Sequence, residues 1–294
     1  MSSQELSIPI SPSITLHTLV STPAQPSSRP SLLLLHFWGG SHHTYHPSIS
    51  LLQDHYQIIA PSLRGWGMSS APVDVTAYRI VDYVADIVAL LLHLNTQQLA
   101  LSANGVIVVG HSMGGKLAQV LLNNVEVASL VRGLILIAPA PAGSFALSEN
   151  MRAQQIHAYD SVESASFVVE NVLLGEAENV TEATRVDLAK GMVAGSPGAR
   201  AAWPEYGMAE DYERAVVGSV ERYQREQGVL KVLIIAGELD RVEEPGNVES
   251  RVAVVLRNSG ADVKIEQIAG VGHLIPLEAP ESMAAAVTAF VESL

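Results

Sequence analysis

The chain has 294 residues, of which 48% are hydrophobic and 16% are charged. This composition suits one large α/β domain with room for an inserted subdomain, and it excludes an extended disordered chain. The net charge of −13 disfavours nucleic acid as a partner, because nucleic acid is itself a polyanion. The absence of cysteine excludes disulfides, thiolate metal sites and a cysteine nucleophile.

The N-terminal residues 1–13 lack the basic cluster and apolar core of a secretory signal. No window approaches the roughly 18 uncharged apolar residues of a membrane span, and the most apolar long stretch, residues 83–94, is interrupted by Asp86. We therefore expect a cytoplasmic protein with no membrane span.

Short apolar runs bounded by Gly, Pro or Asn alternate with longer segments of helical period, which is the pattern of a mostly parallel sheet covered on both faces. An antiparallel hairpin at the sheet edge is predicted first, from residues 6–10 and 14–20. Six further strands are predicted at residues 32–36, 57–60, 106–110, 131–137, 229–236 and 263–268. The helices between them are predicted at residues 44–52, 80–94, 114–123, 248–258 and 280–294.

This alternation breaks between residues 142 and 227, where helical patterns follow one another without a convincing strand. They cover residues 149–159, 162–174, 181–192 and 209–225. An all-helical insertion after the sixth strand is typical of a lid. We therefore predict a core domain of residues 1–141 and 228–294 and a helical cap of residues 142–227.

A Gly-x-Ser-x-Gly run at residues 110–114 follows a predicted strand and precedes a predicted helix. A nucleophile on such a tight turn needs small neighbours, because its backbone is strained and other chain segments pass close by. The amides at the start of the helix also face the negative charge that develops there. Ser112 is thus the candidate nucleophile, and the alternative is a serine that only caps the helix.

A serine nucleophile needs a base and a carboxylate that orients the base. Among ten histidines, His273 lies in a glycine-rich loop after the last predicted strand and is the candidate base. Asp240 follows the preceding predicted strand, at the edge where open α/β sheets gather functional groups, and is the candidate acid. Three nearby carboxylates compete with it: Glu238, Glu243 and Glu244.

Two backbone donors are needed for an oxyanion, one after the nucleophile and one from an earlier loop. Met113 supplies the first by its position. The second is predicted at the amide of Trp38, in the run His-Phe-Trp-Gly-Gly at residues 36–40.

Apolar and aromatic side chains near these loops and in the cap could line a substrate pocket. The candidates are Phe37, Phe145, Trp203, Tyr206 and Leu274. Such a pocket would suit a hydrophobic ester or lactone, although the cap residues could equally pack the cap onto itself.

Together these residues resemble the α/β-hydrolase superfamily, specifically its capped esterase, lactonase and perhydrolase-like branch. The order Ser112, Asp240, His273 matches the nucleophile, acid and base of this fold. Phe37 stands where the family usually has Gly after the histidine, and Ser62 stands where Asp commonly precedes the Arg-Gly run. The matching segments are residues 36–40, Arg-Gly-Trp-Gly-Met-Ser at 64–69, residues 110–115, residues 237–240, and Gly-His-Leu-Ile-Pro-Leu-Glu-Ala-Pro at 272–280.

The resemblance implies an eight-stranded α/β-hydrolase sheet and cleavage of an ester or lactone through an acyl-enzyme, with no metal or cofactor. Ser112 argues against the related enzymes that open epoxides or displace halide, because these use an aspartate nucleophile. A carbon-carbon bond hydrolase or a perhydrolase with the same triad stays open, as does a small-molecule receptor with little turnover. The sequence does not fix the substrate or the oligomeric state.

Two other kinds of site are disfavoured. No Gly-x-Gly-x-x-Gly follows the first core strand, which argues against a dinucleotide-binding protein. His42, His43 and His46 could share a helix face, but no acidic residue or further histidine stands at ligand spacing. The sequence therefore favours ordinary helix-start histidines over a metal site.

Overall fold

The computed structural model describes residues 2–25, 27–96, 101–145 and 147–294, and one eight-stranded sheet forms its centre. The strands are β1 (Ser2–Pro9), β2 (Thr15–Thr22), β3 (Ser31–Leu35), β4 (Ile58–Pro61), β5 (Val106–His111), β6 (Val131–Ile137), β7 (Lys231–Gly237) and β8 (Asp262–Ile268). Their order across the sheet is β1-β2-β4-β3-β5-β6-β7-β8. β2 pairs antiparallel with β1 and β4, and the other neighbours are parallel. The predicted mostly parallel sheet of eight strands is confirmed.

Helices connect the strands and cover both faces of the sheet. Up to β6 they are α1 (His46–Leu52), preceded by a 3₁₀ turn at His42–Tyr45, then α2 (Ile80–Thr96), α3 (Met113–Leu121) and α4 (Val125–Ala128). Between β6 and β7 come α5 (Glu149–Ile156), α6 (Val162–Val168), α7 (Glu182–Ala194), α8 (Pro197–Ala202) and α9 (Glu213–Gln227). After β7 come α10 (Pro245–Val248), α11 (Val254–Asn258), α12 (Ile275–Glu278) and α13 (Pro280–Glu292). Within the described ranges, no helix combines the length and apolar character that crossing a membrane requires.

The central strands are mostly apolar, and β3 is apolar from Leu32 to Leu35, because helices cover the sheet on both sides. In β3, Leu33 and Leu35 pack in the cluster that includes α2 and α3, whereas Leu32 and Leu34 pack in the cluster that includes α1 and α13. Successive side chains of a strand point to opposite faces, so a doubly covered strand loses the polar alternation of an exposed one. The carboxyl ends of β3 to β8 meet at one edge of the sheet, and the loops there carry the candidate residues.

Residues 142–227, which we call the insert, contain helices and no strand among their described positions. The sequence analysis places no helix at α8 or in its continuation Trp203–Gly207, because glycine and proline are poor helix formers. In the structure this segment is helical because of its tertiary packing. A Cβ on Gly198 would overlap the Tyr78 ring, so this helix needs glycine in order to lie against the core.

A buried lysine fastens the insert to α3. The Lys116 ammonium donates hydrogen bonds to the carbonyls of Gly143, Met208 and Glu210, at 3.2, 3.4 and 2.6 Å. Burial lowers the pKa of Lys116 to about 8. The three carbonyls replace the water that this ammonium loses, so the start and the middle of the insert are held at one point.

A buried ion pair holds the segment after β4 against α2. The Arg64 guanidinium binds Asp86 through two hydrogen bonds of 2.5 Å each, and both residues are buried. Arg64 also donates to the Ala77 carbonyl at 2.8 Å. This bidentate pair positions the Arg-Gly-Trp-Gly loop beneath the insert.

We expect Asp86→Ala to lower the free energy of unfolding by about 3–5 kcal/mol, because Arg64 would stay buried without a counter-charge. Urea unfolding followed by circular dichroism measures the change. Asp187→Ala is the matched control, since Asp187 and Lys190 are 62–78% exposed and 3.8 Å apart, and its effect should stay within about 0.5 kcal/mol. Equal effects of the two substitutions would contradict the role given to the buried pair.

Candidate active site

Ser112 lies in the sharp turn between β5 and α3, with φ 54° and ψ −114°. Left-handed backbone is strained for a serine, and the close packing of the neighbouring residues holds the turn in this conformation. A Cβ on Gly114 would overlap the Leu35 carbonyl of β3, and a Cβ on Gly110 would overlap the Gly114 carbonyl. Glycine at both positions therefore allows the turn to form against the centre of the sheet.

The backbone of Ser112 is fixed on both sides. Its N–H donates to the Ile137 carbonyl at 2.9 Å, and its carbonyl accepts from the N–H groups of Gly115 and Ala140 at 2.8 and 3.1 Å. The side chain makes no capping hydrogen bond to α3, although Ser112 occupies the N-cap position. The Ser112 side chain therefore does not act as a helix cap.

Asp240 and His273 come together at the carboxyl ends of β7 and β8. His273 Nδ1 lies 2.8 Å from Asp240 Oδ2, and the two side chains are 2% and 0% exposed. The other oxygen, Asp240 Oδ1, accepts from the N–H groups of Val242 and Glu243 at 2.8 and 3.0 Å. An Nδ1–H bond to this carboxylate leaves Nε2 with a free lone pair, which is the tautomer a general base needs.

Among the candidate carboxylates, it is Asp240 that contacts His273. Glu238 accepts from the Gly270 N–H at 3.0 Å at the protein surface. Glu243 is buried, and burial, with a smaller effect from the charge of Asp240, raises the pKa of Glu243 well above its usual range. Burial thus favours the protonated form of Glu243, and Asp240 is the carboxyl group that contacts His273.

The loop after β3 is held in place by His36 beneath it. The Leu63 N–H donates to His36 Nε2 at 2.9 Å, so the ring proton is on Nδ1 and is donated to the Phe37 carbonyl at 2.7 Å. Burial lowers the pKa of His36 to about 4, which keeps the ring neutral at neutral pH. Within the described part of the chain, neither the Trp38 amide nor the Met113 amide has a hydrogen-bond acceptor.

The insert completes the contacts of Trp38. The Tyr159 hydroxyl donates to the Trp38 carbonyl at 3.1 Å, and the two rings stack with centroids 4.2 Å apart. Trp38 Nε1 donates to the Ala199 carbonyl at 3.2 Å. Both partners belong to the insert, so the insert determines how this loop is oriented.

Two further residues, which the sequence analysis did not single out, position the His273 loop. The Glu278 carboxylate accepts from the N–H groups of Gly175, Gly272 and Leu274 at 2.7, 3.1 and 3.0 Å. His111, next to Ser112, donates through Nε2 to the His273 carbonyl at 2.7 Å. Glu278 lies within the family-like run at residues 272–280, but its three amide partners cannot be identified from spacing.

The predicted pocket residues fall in different places. Phe37 lies beside His273, with ring centroids 6.5 Å apart, and Leu274 is buried next to His273 in the chain. Trp203 is buried, whereas the Tyr206 hydroxyl donates to the Val75 carbonyl at 2.6 Å at the edge of the insert. Phe145 lies under the Arg251 guanidinium and lines an outer cavity of about 310 Å³ that includes no triad residue. That these five residues form a substrate pocket stays a prediction.

Comparison with known proteins identifies the family of the chain. The model of the alpha/beta hydrolase family matches residues 32–286, and the chain belongs to that family. An AB hydrolase superfamily protein of Bacillus subtilis, YfhM, is 32% identical over 109 residues, which cover 36% of this chain and 34% of that relative. The match thus spans about a third of the length of that relative.

Solved structures share the fold over the full length. An esterase from Exiguobacterium antarcticum has a TM-score of 0.76 at 19% identity and covers 99% of this chain and 100% of its own. A 2-hydroxy-6-oxo-6-phenylhexa-2,4-dienoate hydrolase from Rhodococcus sp. strain RHA1 has a TM-score of 0.75 at 17% identity and covers 99% of both chains. At these identities the likeness shows the common fold.

We expect Glu243→Gln to become progressively more stable than the wild type as pH rises. In the wild type the folded state keeps a proton that the unfolded chain releases near the ordinary pKa of 4.5, so wild-type stability falls with rising pH above that value. Glu243→Gln has no carboxyl group at this position, so its unfolding free energy does not fall with rising pH for this reason. The difference in unfolding free energy should grow by at most about 1.4 kcal/mol per pH unit.

Urea unfolding at pH 5, 6, 7 and 8 measures this difference. Glu244→Gln is the matched control for removing one carboxylate from the same loop. A difference between Glu243→Gln and the wild type that stays constant from pH 5 to 8 would contradict a buried, protonated Glu243.

Proposed function

We propose that this protein is a serine hydrolase that cleaves a carboxylic ester or lactone of a small, hydrophobic molecule through an acyl-enzyme. The observation that carries the proposal is the strained Ser112 on the β5–α3 turn together with the buried His273–Asp240 pair at the same sheet edge. An uncapped serine hydroxyl, an oriented imidazole and a carboxylate are the components of nucleophilic acyl transfer.

In this mechanism His273 Nε2 takes the proton of Ser112 as the hydroxyl attacks the substrate carbonyl. Asp240 holds the imidazole through Nδ1 and stabilises the imidazolium. The amides of Trp38 and Met113 bind the oxyanion of the tetrahedral intermediate. His273 then protonates the leaving alcohol and activates the water that releases the acid product.

The proposed role of the insert is that of a cap over the site. Ser112 is 6% exposed and His273 is 2% exposed, so both are largely shielded from solvent. The Leu173 carbonyl of the insert accepts from the His273 N–H at 2.7 Å, and Phe37 supplies an apolar wall near the histidine. A nearly closed, apolar site favours small hydrophobic esters and lactones, because such substrates lose little hydration on entry.

The likeness to a structure named as an esterase supports this choice of substrate class. A carbon-carbon bond hydrolase or perhydrolase would use the same triad, and a receptor would bind a small molecule without rapid turnover. A substrate screen over short aryl esters, lactones, carbon-carbon diketones and amides separates these functions.

We expect Ser112→Ala to lower kcat/KM for a short-chain aryl ester by about 10⁴-fold or more, because no other group supplies the nucleophile. Steady-state release of the aryl alcohol measures it. Ser129→Ala, at an exposed serine after α4, is the matched control and should retain wild-type activity. Equal turnover by Ser112→Ala and the wild type would rule out the serine mechanism.

We expect Asp240→Asn to lower kcat by about 10³- to 10⁴-fold, because the amide favours the wrong tautomer of His273. The same aryl ester assay measures it. Glu238→Gln, which alters a neighbouring exposed carboxylate, should stay close to the wild type. The reverse result, with Glu238→Gln inactive and Asp240→Asn active, would reassign the acid.

A further inference from the structure

A second group of functional side chains lies outside the hydrolase site, where β1 passes the turn that follows the Trp38 loop. It consists of Glu5, His42, His43 and His46, which we call the histidine cluster. One imidazole nitrogen from each histidine and one carboxylate oxygen all lie within 4.8 Å of one another. We propose that the histidine cluster binds one divalent transition-metal ion of the zinc type.

The distances between donor atoms suit a single small ion. His43 Nδ1 lies 3.2 Å from His46 Nε2, and His42 Nε2 lies 3.4 Å from Glu5 Oε1. In a tetrahedral zinc site with bonds of about 2.0–2.1 Å, neighbouring ligand atoms stand about 3.3–3.4 Å apart. The two pairs therefore already have the spacing of ligands around one ion, and the pairs need only small side-chain movements to converge.

Local structure explains how the histidines converge. Ser41 and Thr44 form a reciprocal capping box that starts the 3₁₀ turn, and this turn carries His42 and His43. His46 follows as the first residue of α1, so the three rings crowd together, with centroids of His42 and His43 4.0 Å apart and those of His43 and His46 4.6 Å apart.

The fourth donor, Glu5, comes from β1, the strand at the edge of the sheet. Glu5 lies on β1, which is held in register by its antiparallel pairing with β2. The sequence analysis rejected a metal site because no acidic residue stands near these histidines along the chain. The hairpin supplies one from 37 positions earlier than His42, which local spacing cannot reveal.

Outer partners orient two of the four donors. His42 Nδ1 lies 2.9 Å from Ser62 Oγ, which directs Nε2 toward Glu5. The other oxygen of Glu5 lies 3.5 Å from His17 Nε2. Metal-binding histidines usually have such a second hydrogen bond, which fixes the ring and the tautomer. Ser62 is one of the two departures from the family pattern, and here it contacts the histidine cluster.

Three imidazoles and one carboxylate favour zinc, nickel or copper over calcium and magnesium, which prefer oxygen ligands. His43 and His46 also line a cavity of about 490 Å³ between this turn and α7, which gives an ion a path from solvent.

An ion bound there would tie β1 to the turn that directly follows the Trp38 loop, and so would stabilise the fold without taking part in ester cleavage. The proposal does not depend on the hydrolase function, because its donors are separate from Ser112, Asp240 and His273. Circular dichroism therefore serves as the check on folding in every variant.

The test uses the full chain without a histidine tag, stripped with a chelator and titrated with zinc chloride by calorimetry and with cobalt chloride by visible absorption. We expect one zinc ion per chain and the intense absorption of four-coordinate cobalt. Glu5→Gln and His43→Gln should each weaken zinc binding at least tenfold. His157→Gln is the matched control, because this exposed histidine also lies beside a carboxylate, Asp160 at 2.7 Å, and it should bind zinc like the wild type.

Thermal unfolding gives a second measurement. Zinc at about 100 times the wild-type dissociation constant should raise the Tm of the wild type and of His157→Gln by about 5 °C, and that of Glu5→Gln by about half as much or less. If Glu5→Gln loses the native circular dichroism spectrum, His46→Gln takes its place as the test variant. Absence of zinc binding in the wild type, or equal affinity in the wild type and the cluster variants, would overturn the proposal.

Discussion

The close approach of the β5–α3 turn to β3 is the constraint on which the rest of the site depends. Gly114 packs against the Leu35 carbonyl and Gly110 against the Gly114 carbonyl, so no side chain fits at either position. Ser112, between them, has a strained left-handed backbone conformation. Its side chain makes no capping hydrogen bond to α3. Because β5 lies near the centre of the sheet, the loops that carry the other candidate residues lie on either side of this turn.

The insert is coupled to the site through backbone groups of both loops. Leu173 accepts from the N–H of the candidate base, and Glu278 links Gly175 of the insert to the amides on either side of that base. Tyr159 binds the Trp38 carbonyl. Displacing the insert would therefore break hydrogen bonds to both the His273 loop and the Trp38 loop.

Local sequence signals predicted the elements and the candidate triad, because strand runs, glycine-flanked serine and loops after strands are each readable within a few residues. The contacts of Glu278, His111 and Glu5 were not predictable, since each joins segments that only the tertiary fold brings together. The helix at Pro197–Ala202 was missed for a similar reason, because packing on Tyr78 outweighs its poor local propensity.

Covalent labelling tests the central claim about Ser112 most directly. The protein would be treated with a fluorophosphonate, its residual aryl ester turnover measured, and the modified residue located by peptide mass spectrometry. The account predicts one adduct per chain, on Ser112, with turnover lost in proportion to labelling. Full labelling of Ser112 with turnover retained, or loss of turnover through an adduct on a different serine, would contradict it.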